Sequence, residues 1–361
     1  MQSSRPVRGR GSAGNPKNRF EAVELIPESP DDSDEISSPH TQFLTDTSKS
    51  IIAYNDSPDV GFDASVNPYR GCEHGCVYCY ARPTHEYLGF SSGLDFETKI
   101  MVKEDAPQLL KEALSRPNWT PQVLAMSGVT DCYQPAEKKH QLTRRCLEVL
   151  LEFRNPVVII TKNYLVTRDI DILRELARYR CVGVSISLTT LDLKLSAVME
   201  PRASNPTRRL AAINRLAEAG IPVGYLQAPM IPGLTDAEAP AIAQAAVRAG
   251  ASFAGYVALR LPFAVKSLFE QWLAQHFPER KEKVLNRIRA MRGGKLNDPH
   301  FSTRMRGEGV FAQQMAELFR LACKKAGIND RRPELTTEHF RRAGANQLSL
   351  FEAPSSGFQP Y

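Results

Sequence analysis

Three cysteines fall within eight residues, Cys72, Cys76 and Cys79, in the run Asn67-Pro68-Tyr69-Arg70-Gly71-Cys72-Glu73-His74-Gly75-Cys76-Val77-Tyr78-Cys79-Tyr80. The C-x3-C-x2-C spacing puts three thiolates on one tight loop. Such a loop can hold three corners of a cube-shaped iron–sulfur cluster. The fourth iron then stays open to bind and activate a small molecule. Spacing alone also leaves open a zinc site completed by His74 or His85. Zinc knots usually pair two C-x2-C units, and this run holds one. A disulfide framework does not fit, because seven cysteines in 361 residues are sparse and odd in number.

Around the cysteines, short apolar runs alternate with helix-like segments. The runs at 122–126, 157–161, 182–188, 222–230 and 253–261 are short and apolar enough for buried parallel strands. An earlier strand at about 65–69 leads into the cysteine loop. Helical patterns fill 107–115, 138–153, 168–179, 206–219 and 236–249. Gly220 and Gly250 follow two of them where C-terminal caps belong. Six β/α units in alternation predict an α/β fold, a partial (β/α)6 TIM-like barrel over residues 51–262. Residues 263–342 read as a helical C-terminal extension, with helices at about 264–292 and 308–326. Residues 1–50 read as a disordered or loosely attached arm, rich in Gly, Ser, Pro and Asp. Within it, the stretch from Arg10 to Pro16 is a candidate strap onto the domain. Residues 343–361 read as a tail.

Composition narrows the class. A 42% hydrophobic content is ample for a core, and no run of 18 apolar residues predicts a membrane span. The first residues lack the apolar stretch of a signal peptide. A reducing cytoplasm is the expected compartment. Charge is uneven: residues 1–62 hold six Lys/Arg against ten Asp/Glu, and residues 262–361 hold seventeen against ten. A basic C-terminal third is compatible with nucleic acid, and equally with solvated helix faces.

The cysteine run, with Tyr78 just before its last cysteine, resembles the signature of the radical S-adenosylmethionine (radical SAM) superfamily. Further segments resemble its spore photoproduct lyase-like branch, closest to a poorly characterised bacterial subfamily. These are the run from Ser127 to Glu137 (Ser-Gly-Val-Thr-Asp-Cys-Tyr-Gln-Pro-Ala-Glu), Thr161-Lys162 after a strand, the block from Ser185 to Thr190, and Glu200-Pro201-Arg202. They occur in order between about residues 60 and 262. The resemblance implies a [4Fe-4S] cluster that reduces S-adenosylmethionine (SAM). A 5′-deoxyadenosyl radical forms and abstracts hydrogen from a substrate. It also implies a reducing partner such as a flavodoxin or ferredoxin.

Roles follow residue by residue. Cys72, Cys76 and Cys79 ligate three irons. Tyr78 lies near the adenine, and Ser127 and Gly128 sit where the family meets the methionine amino group. Lys162 takes the methionine carboxylate, and Ser187 the ribose or amino group. Arg202, with Glu200, touches the cofactor, or the two pair with each other. Asp131 and Cys132 are the catalytic candidates, Asp131 beside the cofactor and Cys132 as a hydrogen donor to a product radical. Plain structural readings compete: a helix cap for Asp131, a small core side chain for Cys132, a salt bridge for Lys162. The lyase's own radical-quenching cysteine aligns with Gly128, so neither that role nor its DNA-lesion substrate is carried over. The substrate, small or macromolecular, is not legible. Two further function classes stand beside a radical SAM enzyme of unidentified substrate. One is a DNA-repair lyase or nucleic-acid-modifying enzyme, and the other a non-catalytic scaffold stabilised by metal or cluster.

Overall fold

The structure is a computed structural model that describes residues 6–20, 39–328 and 333–342. The expected tail, 343–361, lies outside these residues, as does 21–38 of the expected arm.

In chain order the main elements are β1 (Gln42–Thr45), β2 (Ile52–Tyr54), β3 (Ala64–Val66), β4 (Tyr69–Arg70), β5 (Lys99–Val102), α1 (Ala106–Ser115), β6 (Leu124–Met126), α2 (Leu142–Phe153), β7 (Val157–Thr161), α3 (Ile170–Arg178), β8 (Val182–Ser187), α4 (Pro206–Glu218), β9 (Val223–Met230), α5 (Ala239–Arg248), β10 (Ala254–Ala258), α6 (Val265–His276), α7 (Pro278–Ala290) and α8 (Gly309–Ala326). The large sheet has the order β10-β9-β8-β7-β6-β3-β2. Its strands from β3 to β10 run parallel, and β2 adds an antiparallel edge. These are the six expected parallel strands of an α/β partial barrel, with open edges at β10 and β2.

The middle strands bury one face under the helices, while parts of the other face, Ile160 and Ser187 among them, line a cavity. Val157, Ile159, Val182, Val184 and Ile186 are all fully buried. On α2, Leu147, Leu150 and Phe153 are equally buried, the residues of one helix face. Each such side chain contributes about 1.5–3 kcal/mol by leaving water. No helix among the described residues is long and apolar enough to cross a membrane.

The expected strand at 65–69 divides in two. Pro68 cannot donate to a ladder. Just before it, the Asn67 side chain accepts a hydrogen bond from the Tyr69 amide at 3.0 Å, forming a tight turn. β3 therefore stays in the large sheet, and β4 joins a separate three-stranded sheet of order β1-β5-β4. Nothing in the hydropathy pattern announces that second sheet, whose strands span two to four residues. The stretch at 264–292 forms two helices, because Pro278 starts α7 at a position that needs no backbone donor.

Candidate active site

Past β4, the chain turns sharply into the cysteine loop. The loop is held from three sides by its own main chain. The Cys72 amide donates to Phe96 O at 2.8 Å, and the Val77 amide donates to Met199 O at 3.1 Å. Gln134 clamps the third side: its Oε1 accepts from the Glu73 amide at 2.9 Å, and its Nε2 donates to Gly71 O at 3.0 Å. Gln134 belongs to the segment that resembles the lyase-like branch, and its work is to brace the cysteine loop.

A buried ion pair stands behind the loop. Arg82 and Glu97 are both fully buried and meet at 2.6 Å. Arg82 Nε also donates to Cys76 O at 2.9 Å, and its Nη1 to the carbonyls of Ser92 and Gly93. The carboxylate of Glu97 accepts from the amides of Gly11 and Ser12 at 3.0 and 2.9 Å. Residues 7–18 are thus strapped over the loop; they include Arg10 to Pro16, read both as part of a loose arm and as a candidate strap. The strap depends on glycine at its closest approach. A Cβ on Gly11 would lie 1.7 Å from Gly75 O, and Gly75 itself needs a φ of 67°. Arg10 reaches on to Glu97 O at 3.0 Å, and Ser91 Oγ donates to Pro16 O at 2.7 Å.

The loop opens onto a cavity of about 1160 Å³. Cys72, Cys76, Tyr78, Cys79, Ser127, Gly128, Asp131, Lys162 and Ser187 all line it. The sequence candidates therefore converge on one wall, at the C-terminal ends of β6, β7 and β8. This is the end at which parallel α/β sheets bind ligands. Lys162 carries no ion pair or side-chain hydrogen bond from its ammonium among the described residues. Its Nζ stands 5.8 Å from the Tyr78 ring centroid. Tyr78 is anchored by its hydroxyl, which donates to Glu200. Ser127 takes a φ of 83°, a strained value for serine, and its Oγ accepts from the Cys132 amide at 2.9 Å.

Two expectations change. Arg202 is absent from the cavity wall. Its guanidinium pairs with Glu73 at 2.9 Å and donates to Thr41 Oγ1 at 3.2 Å. Glu200 in turn pairs with Arg209, not with Arg202. The carboxylate of Glu200 is buried and accepts from Thr189 at 2.8 Å as well as from Tyr78 and Arg209. Burial alone would raise its pKa, but Arg209, Lys162 and Tyr78 outweigh burial and hold it at about 2. Arg209 was missed in the sequence, where it is one of two adjacent arginines on an amphipathic helix.

Cys132 is also off the cavity wall. It is fully buried in the main apolar core, with its carbonyl accepting from Thr143 Oγ1 at 2.6 Å. The hydrogen-donor role is therefore corrected to a core residue. Asp131 does face the cavity, yet both its oxygens are engaged. Oδ1 accepts from the Tyr133 amide and Thr161, and Oδ2 from the Lys162 amide at 2.8 Å. His74 Nδ1 lies 3.3 Å from Oδ2. Asn163 fixes the tautomer: its Oδ1 accepts from the Leu165 amide, so its Nδ2 donates to His74 Nε2 at 3.0 Å. His74 Nδ1 then carries the proton and donates to Asp131. Burial acts to raise the Asp131 pKa, and His74 with the hydrogen bonds brings it down to about 2. Asp131 is a bracket between the cysteine loop and the end of β7.

These two acids make an acid-sensitivity prediction. Both have folded pKa values below their ordinary 4.5 and 3.8. Their stabilisation is complete above those values and is lost as pH falls towards about 2. Denaturant midpoints are expected to drop across that window. Glu200→Gln should start lower and show a shallower fall; an unchanged slope would contradict the assignment.

The cysteines fit an iron–sulfur cluster better than zinc. Burial pushes all three thiols up, Cys76 to about 12 despite the pull of Lys162. As free thiols they would stay protonated, so metal binding is what makes them thiolates. No group of three or more His, Cys, Asp or Glu among the described residues gathers around a single-ion site. His74 has both ring nitrogens engaged, and His85 is buried away from the cavity wall. A cluster takes its thiolates at separate irons, which suits three cysteines of one loop facing the same cavity.

A family model described as the Radical SAM superfamily matches residues 66–246, from β3 to α5. The chain belongs to the Radical SAM superfamily. That membership implies a [4Fe-4S] cluster and SAM, the donor set that the cysteine wall fits. An uncharacterised protein of Mycobacterium tuberculosis is 36% identical over 220 residues, which is 60% of this chain and 65% of that protein. An uncharacterised protein of Methanocaldococcus jannaschii is 28% identical over 222 residues, 62% of this chain and 79% of its own. The matched region thus spans about 65% of the mycobacterial relative's length. Among solved structures, spore photoproduct lyase complexed with dinucleoside spore photoproduct superposes with a TM-score of 0.57. It covers 80% of this chain and 81% of the lyase, at 15% sequence identity. A lyase variant with bound AdoMet and the same dinucleoside gives 0.56, covering 80% of each chain at 15% identity. These likenesses show a shared radical SAM fold.

Proposed function

We propose that this protein is a radical SAM enzyme acting on a substrate that binds in the cavity beside the cysteine loop. The observation that carries the reading is that the three cysteines, Cys72 and Cys76 buried and Cys79 half-buried, face the same cavity as Lys162. When bound, the cluster and SAM supply a 5′-deoxyadenosyl radical that takes a hydrogen atom from the substrate. The chain's own residues position and exclude water. Cys72, Cys76 and Cys79 would hold the cluster. Lys162 offers a cation to the methionine carboxylate, and Ser187 and Gly128 flank it on neighbouring strand ends. Tyr78 presents its ring to the cavity, locked through its hydroxyl by Glu200 and Arg209. A reducing partner such as a flavodoxin or ferredoxin would deliver the electron.

Lys162→Met is expected to weaken SAM binding about tenfold to a hundredfold, the worth of a charge-assisted hydrogen bond. Equilibrium binding to the cluster-loaded protein checks this, with Lys162→Arg expected to lose less. Equal affinity in Lys162→Met would remove the residue from the SAM site. Cys132→Ala is expected to lower stability by about 1 kcal/mol and to leave 5′-deoxyadenosine yield unchanged. Loss of that yield in a folded variant would restore a role in the chemistry.

A nucleic-acid substrate is a second reading, favoured by the cations that line the cavity. Arg260, Arg304, Arg306, Arg320 and Lys324 line it, with Tyr54 and Tyr80 nearby. Binding that fades steeply with salt would support it.

A further inference from the structure

The buried arginines Arg82, Arg209 and Arg292 are matched to acceptors, and Arg10 is matched through its two terminal nitrogens though not through Nε. Arg82 has Glu97, and Arg209 has Glu200. Arg292 donates to Thr303 O at 2.7 Å and to Leu259 O at 2.9 Å. Arg260, just past β10 on the cavity wall, differs. Its Nε is shut off from solvent and has no hydrogen-bond partner. Its Nη1 meets only a thioether, Met305 Sδ, at 3.4 Å. It makes no ion pair among the described residues. The nearby carboxylate of Asp59 is committed to Arg304 Nε at 2.5 Å and to the Ser302 amide at 2.5 Å. Burial first, and then Arg304, lowers the guanidinium pKa of Arg260. Arg260 is half-buried, with only the Tyr80 ring and the already committed Asp59 to offset its charge among the described residues, and a partly desolvated charge without a close anionic partner is costly.

The position is informative. The Arg260 guanidinium carbon lies 5.4 Å from the ring centroid of Tyr80, the residue that follows Cys79. Tyr80 donates to Gly128 O at 2.8 Å, which ties that ring to the end of β6. Two acids line the cavity on this count, Asp59 and Asp131, and both are taken up by protein donors. Among the cavity's cations that make no ion pair with described residues are Lys162, past β7, and Arg260, past β10 and beside Tyr80.

We propose that Arg260 anchors an anion subsite that receives a carboxylate or phosphate group of the substrate. The proposal rests on the enzymatic reading above and extends it to the substrate's chemistry. A planar guanidinium can meet either group through two parallel N–H donors. The anion would sit beside Tyr80, so the rest of the substrate extends towards the cysteine loop. A substrate without an anionic group would leave Arg260 uncompensated and bind poorly.

Calorimetric titration of the full, cluster-loaded chain tests this, with inorganic phosphate and acetate as separate probes and SAM as a third. At least one anion is expected to bind, and Arg260→Gln to weaken it about tenfold to a hundredfold. Arg260→Lys should retain part of the affinity. Arg178→Gln, which removes an exposed charge away from the cavity, should leave it nearly unchanged. Binding of phosphate alone indicates a phosphorylated substrate, of acetate alone a carboxylic acid, and of both an unselective oxyanion fork. No binding of either anion, or equal binding by Arg260→Gln that still takes up SAM, overturns the subsite. Anion binding lost with Arg260, in a wild-type chain that ignores SAM, would overturn the proposed function and leave the subsite standing. SAM binding without any anion site would do the reverse.

Discussion

Cys76→Ala is expected to abolish both cluster retention and SAM cleavage. Cys76 holds the middle of the loop, between Gly75 and the ring of Tyr78. Its carbonyl is pinned by Arg82 Nε at 2.9 Å, and it accepts from the Cys79 amide at 3.2 Å. The backbone of the loop is thereby fixed independently of the sulfur. Alanine at this position removes a ligand without unfolding the loop. A cluster held by two cysteines lacks the ligands for a stable cube. After anaerobic reconstitution the variant should hold well under four irons per chain and lack the visible absorption of the wild type. Its stability without metal should fall by no more than about 1 kcal/mol, because a buried free thiol contributes as a small apolar group. Full iron content in Cys76→Ala would remove it from the ligand set.

Glu97→Ala is expected to be the most destabilising single change away from the apolar core. Glu97 is the only carboxylate among the described residues that pairs with Arg82, and it also accepts the Gly11 and Ser12 amides. Its removal leaves a fully buried guanidinium without its counter-charge and detaches the strap. Breaking one side of such a buried pair costs about 3–5 kcal/mol. The loss should appear twice: as a lower denaturant midpoint, and as faster protease cleavage within residues 7–18. Replacing both partners with apolar residues, Glu97→Leu with Arg82→Met, should recover much of the stability and not the strap. A cost under about 1 kcal/mol, the range of exposed pairs, would show that Glu97 bears little of this load.

The fold was largely legible because its signals are local and repeated. Runs such as 157–161 and 182–188 are too apolar and too short to be anything but buried strands in an alternating chain. The cysteine spacing likewise declares itself over eight residues. What stayed hidden depends on contacts between distant residues. The Arg209–Glu200 pair and the Arg82–Glu97 pair join segments whose own patterns assign neither partner. Arg202 was misplaced because proximity in sequence suggested Glu200, while the fold offers Glu73 of the cysteine loop. Cys132 lies beside a motif but one residue past the cavity-facing Asp131, and its side chain turns into the core. The strap was legible only as an alternative, over Arg10 to Pro16, since the glycines that allow close approach also suggest a loose chain.

The central claim is that this chain cleaves SAM reductively at the Cys72, Cys76 and Cys79 loop. The direct measurement is 5′-deoxyadenosine formed by the reconstituted protein after anaerobic reduction with dithionite, with and without cell extract as a source of substrate. The account predicts product that requires reductant and SAM and is absent from Cys76→Ala. No product under either condition, from protein holding about four irons per chain, would contradict it.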